Sequence, residues 1–148
     1  MGLFDQVCAV PATEQPKLNG AEAFAAIALT AIAADGYLSD EEAQSLPYVL
    51  SRMNLFQGYA NAQMERLFDK LLTIMKNQGI AVLLAAAQTA LPEKLEQTAF
   101  AVATDLILSD GCVTPEEQTF LDELHRVLKI SEATAQNIID VMLIKNQG

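Results

Sequence analysis

From Ala21 onward, leucine, isoleucine and alanine recur along this chain at spacings of three and four, and apolar/polar alternation of period two is hard to find anywhere. The pattern predicts helices throughout. A first long helix runs over about Ala21 to Ala34 and stops at Gly36, where a residue without a Cβ takes the left-handed conformation that closes a helix. Ser39 opens the next one, with Glu42 three positions on, the reciprocal capping arrangement of hydroxyl and carboxylate. That helix is expected to reach Met53 or Asn54, with a kink or early break at Pro47. Further helices are predicted over Ala62 to Lys76 after Asn61, Ile80 to Ala90, Pro92 to Ser109, from Pro115 onward, and over Glu132 to Lys145 after Ser131. The sum is an all-α, single-domain antiparallel bundle of about seven helices covering residues 1–148, joined by short loops.

The punctuation is duplicated. Asp35-Gly36-Tyr37-Leu38-Ser39-Asp40-Glu41-Glu42 is echoed 75 positions later by Asp110-Gly111-Cys112-Val113-Thr114-Pro115-Glu116-Glu117. Thr114 stands as N-cap, Pro115 takes the first helical position and Glu117 closes the box. At the same offset Ala26 matches Ala101, Ala28 matches Ala103, Ile32 matches Ile107 and Leu46 matches Leu121. Such regularity marks a duplicated supersecondary unit, with halves of about 21–76 and 92–146. Two helical hairpins packed about a pseudo-twofold axis would bury the apolar faces that neither covers alone.

Composition narrows the function. A net charge of −10 repels phosphate backbones and anionic headgroups, which argues against nucleic-acid partners and favours cations or basic protein surfaces. The longest uncharged runs, Ala23 to Ala34 and Ile80 to Leu91, fall short of the roughly 20 residues of a membrane span. Cys8 and Cys112 form neither a disulfide framework nor a thiolate zinc site. Met1 to Val10 has no basic n-region of a secretory signal, so a cytoplasmic location is expected.

The candidate chemistry lies in the carboxylates. Asp35, Glu42, Asp110 and Glu117 occupy equivalent points of the two hairpins, with Asp105 one turn before Asp110 as a further oxygen donor. If pseudo-twofold packing brought them to about 6 Å, each like-charged pair would cost roughly 3 kcal/mol at an effective dielectric near 20, which invites a bound cation. Hard oxygen ligands suit calcium or magnesium, and zinc with fewer ligands. The bland alternative makes the glutamates cap residues and the aspartates mere neighbours of C-cap glycines. An EF-hand is excluded because Ala31, Ala33, Leu106 and Leu108 stand where its first acidic ligands belong. A di-iron bundle needs two Glu-x-x-His motifs, and His125 is the single histidine, expected to be solvated beside Asp122. Cys112, among acidic neighbours, is disfavoured as a reactive thiolate, and no glycine motif cradles an organic cofactor. Met53, Leu55, Phe56, Tyr59, Met64 and Met75 are read as core ahead of an adaptable groove, and Arg66, Lys70 and Lys76 with Glu65 and Asp69 as a solvated helix face.

The two stretches Ala33 to Glu42 and Leu108 to Glu117, the latter followed by Leu121, Leu124 and Leu128, resemble the signature segments of the tellurite-resistance TerB family of small helical bacterial proteins. The resemblance covers most of Ala21 to Ile130. It implies the helical fold, an acidic metal-ion site at Asp35, Glu42, Asp110 and Glu117, and a part in tellurite or stress response; it does not imply an enzyme. Pro47 and Cys112 depart from the family pattern. The functional expectation is a non-enzymatic protein that binds a divalent cation or a protein partner through its two Asp-Gly loops, with a homodimer open. The alternative is a helix-groove interaction module without metal.

Overall fold

The computed structural model describes residues 15–34, 40–109 and 113–147, and over them the chain forms seven α-helices and no strand. They are α1 (Gly20–Ile32), α2 (Asp40–Ser51), α3 (Asn61–Gln78), α4 (Ile80–Ala90), α5 (Glu96–Leu108), α6 (Pro115–Val127) and α7 (Glu132–Lys145), with 3-10 turns at Asn54–Phe56 and Glu93–Leu95. The all-α bundle expected from the periodicity is the one observed.

Nine consecutive residues of α1, Ala23 to Ala31, are buried, so this helix has no solvated face. Its sequence explains that placement: a helix that is apolar all round gains most when covered on every side. α1 accordingly packs on α2, α3, α4 and α5, with α4 and α5 its main neighbours. α4 resembles it, burying Ala81 and Leu83 to Ala87. The buried hydroxyls of Thr30 and Thr104 donate back to the carbonyls of Ile27 and Phe100, both at 2.8 Å, and so enter the core without an unpaired donor.

α1 starts on a capping box that the periodicity did not reveal. The Glu22 N–H donates to Asn19 Oδ1 and the Asn19 N–H to Glu22 Oε1, each at 2.8 Å. Glu22 also takes an ion pair from Lys70 of α3 at 3.1 Å, and Lys70 donates to the Lys17 carbonyl. Lys70 is therefore no ordinary solvated charge; it fastens α3 to the entrance of α1. At the same end a Cβ on Gly20 would stand 3.1 Å from Pro92, so α1 departs from the turn that leads into α5.

Two boundaries differ from the sequence reading. Pro47 does not break α2, which continues to Ser51, because buried Leu46 and Leu50 hold the turns on either side against the core. The helix expected from Pro92 begins at Glu96, after a 3-10 turn in which the Leu95 N–H donates to the Pro92 carbonyl at 2.9 Å.

The duplicated spacing persists in the elements. α1 and α5 are each 13 residues long and start 76 positions apart (96 − 20), while α2 and α6 start 75 apart (115 − 40). The surroundings are less alike, since Ala26 is buried and its counterpart Ala101 is only half-buried.

α6 ends with Lys129 at φ 61°, where the Ile130 N–H reaches the His125 carbonyl at 2.7 Å and the Lys129 N–H reaches Arg126 at 3.1 Å. This is the two-bond closure that glycine normally serves. Lys129→Gly is expected to raise stability by about 0.5 kcal/mol, the left-handed strain relieved less the extra freedom of the unfolded chain. The check is an increase in urea midpoint at unchanged slope.

Candidate functional site

The two Asp-Gly corners join α1 to α2 and α5 to α6. Asp35 and Asp110 lie outside the described residues, as do Gly36, Ser39, Gly111 and Cys112. The helix ends that flank them are described. α1 closes with the Ala33 N–H on the Leu29 carbonyl at 3.2 Å and the Ala34 N–H on Ala31 at 3.3 Å. α5 closes with Ser109 Oγ donating to the Leu106 carbonyl at 2.8 Å.

At the start of α6 the expected cap is present in full. The Glu117 N–H donates to Thr114 Oγ1 at 3.1 Å, the Thr114 N–H donates to Glu117 Oε1 at 3.0 Å, and Pro115 occupies the first helical turn, where its missing N–H costs nothing. Glu117 is 8% exposed and is the one buried ionisable side chain among the described residues. One carboxylate oxygen is thus committed to the backbone, in a setting that holds the group in a fixed orientation. Glu42 is the third residue of α2, the same register that Glu117 holds in α6; its side chain lies outside the described residues.

Asp105 turns to a different task. Its Oδ1 accepts from Lys145 Nζ at 3.1 Å and from Asn146 Nδ2 at 2.8 Å, which fastens the end of α7 to α5. Among the described residues no group of three or more histidine, cysteine, aspartate or glutamate side chains stands together as a metal-binding set. His125 is half-buried, contrary to the solvated placement expected. Its ring meets Phe100 edge-on at 6.5 Å, and its Nδ1 lies 3.1 Å from the Ile130 carbonyl.

Thr114→Ala is expected to cost about 1 kcal/mol, because the Glu117 N–H loses its acceptor at a helix start. Glu117→Gln keeps a side-chain oxygen for the Thr114 N–H and should remain within about 0.5 kcal/mol of wild type. Paired urea titrations separate the two.

The sequence placed an adaptable surface around Met53, Leu55, Phe56, Tyr59, Met64 and Met75, and weighed it below core packing. Core packing prevails: Phe56 and Met64 are buried, and the other four pack on the core from its margin. An open groove of about 550 Å³ lies instead between α2 and α3, with Pro47, Tyr48 and Leu72 on its walls above buried Met64 and Phe68. Pro47 and Tyr48 were invisible to the sequence reading because proline was taken there only as a helix breaker.

No protein-family model matches this chain, and no significant match is found among curated proteins or among solved structures.

Proposed function

We propose that this chain is a non-enzymatic, cytoplasmic protein of the TerB type, which holds a divalent cation at its duplicated Asp-Gly corners and takes part in tellurite or stress response. The observation that carries this reading is the setting of Glu117, buried at the third position of α6 and matched in register by Glu42 on α2. Asp35 and Asp110 precede those helices by equal intervals, and the start of α1 at Gly20 lies against Pro92, four residues before α5. The donor set is all oxygen, which suits calcium or magnesium, and zinc with a water position kept open. A cation held by these carboxylates would offset their negative charge; no bond is made or broken by the protein.

Titration calorimetry with calcium, magnesium and zinc tests the proposal. Wild type is expected to give binding heat that Asp35→Ala and Asp110→Ala abolish. Glu117→Gln should lose most of that heat while keeping its melting temperature, because the cap survives and the charge does not. Heat unchanged across all three variants would end the assignment.

A second reading rests on the Thr114–Glu117 hydrogen bonds, in which the carboxylate serves as a cap and the molecule works through an apolar groove. It expects no metal-dependent rise in stability. A cation at one hundred times its dissociation constant should add about 2.7 kcal/mol under the first reading.

A further inference from the structure

The groove between α2 and α3 has a chemistry of its own. Met64, Phe68 and Leu72 fall at successive spacings of four along α3 and form an apolar floor, the first two buried and Leu72 half-buried, while Tyr48 on α2, 69% exposed, stands over it as the opposite wall. Glu65 and Asp69 follow the same spacing one position on and line the rim. Like charges four apart on a helix repel. Neither enters an ion pair among the described residues, and Lys70, the neighbouring ammonium, is turned to Glu22. On the other wall Ala43, Pro47 and Tyr48 of α2 bring no charge to the groove.

The geometry points to a binding site for a cationic amphipathic helix of a partner protein, seated between α2 and α3. Charge decides the sign of the occupant: two carboxylates without an ion pair among the described residues call for lysine or arginine, and the molecule's charge of −10 attracts such a segment from a distance. The walls decide its form. Both are helices with their backbone groups largely spent on each other, so an occupant must satisfy its own N–H and C=O groups, which a helix does and an extended peptide does not. Its apolar residues, spaced three and four apart, cover Tyr48 and Leu72, and its basic residues reach Glu65 and Asp69. The site stands whether or not the Asp-Gly corners hold a cation.

The probe is a synthetic 14-residue helical peptide of leucine and lysine with leucines at i, i+3, i+4 and i+7, labelled for fluorescence anisotropy. Two counterparts accompany it: one with glutamate for every lysine, and one with serine for every leucine. The leucine–lysine peptide is expected to bind and to shift the NMR signals of Tyr48, Met64 and Phe68, with the same affinity in calcium and in chelator. The charge-reversed Glu65→Lys/Asp69→Lys protein should bind it at least about tenfold more weakly, and Tyr48→Ala, which alters an exposed side chain, about fivefold more weakly. Equal binding of the serine–lysine peptide would reduce the effect to bulk charge and overturn the site. So would unchanged affinity in both variants, shifts confined to other helices, or a dimer of the chain itself that Tyr48→Ala dissociates.

Discussion

Phe24→Ala is expected to destabilise the protein by about 3–5 kcal/mol, enough to lower the melting temperature by roughly 10 °C. Phe24 is 1% exposed and lies in α1, the helix on which four others converge. Its ring meets Phe56 edge-on at 6.4 Å, and Phe56 meets Tyr59 in the same manner at 5.6 Å, so the substitution opens a cavity and unseats an aromatic row. Collapse into the cavity is hindered because the flanking residues of α1 are already buried and close-packed. Phe24→Leu retains most of the volume and should cost less than half as much. Calorimetric scans of the two variants check the difference; equal losses would mean that ring geometry rather than volume governs the site.

The second large effect distinguishes the halves of the repeat. Ala26→Leu is expected to cost up to about 3 kcal/mol, because Ala26 is fully buried in a helix whose alanines let its neighbours approach closely. Ala101→Leu, at the equivalent point of α5, adds the same three carbons to a half-buried position and should stay within about 1 kcal/mol of wild type. Urea titrations of both variants at equal protein concentration provide the test. Equal losses would show that the two hairpins sit in equivalent environments despite the difference in burial.

The contrast explains what was readable in the sequence. Helix identity, the cap at Thr114 and the burial of α1 and α4 depend on residues a few positions apart, and the spacing of apolar and capping residues reveals them. The duplicated offset likewise predicted that α2 and α6 would start in register. The rest depends on contacts that no local pattern encodes. Lys70 was read as a surface charge because its partner Glu22 is 48 residues away, and the contacts of Asp105, a further candidate oxygen donor, were hidden because Lys145 and Asn146 lie 40 and 41 residues on. His125 looked solvated until Phe100 closed over it. Pro47 illustrates a different shortfall: the lost hydrogen bond is real, but tertiary packing of Leu46 and Leu50 outweighs it. Of the site, Glu117 was legible as both cap and candidate ligand, since the same carboxylate can do either and sequence does not say which. Asp35, Asp110 and the Glu42 side chain fall outside the described residues.

The central place of α1 bears on how the chain is made. Its principal covers, α4 and α5, lie at 80–90 and 96–108, so on the ribosome this apolar helix is complete long before the segments that enclose it have been synthesised. Synthesis at about 5–20 residues per second makes that interval several seconds, against about a microsecond for the helix to form. A nascent chain halted near its midpoint would therefore present an uncovered alanine-rich apolar rod, a substrate for chaperones and a nucleus for aggregation, until translation passes Leu108.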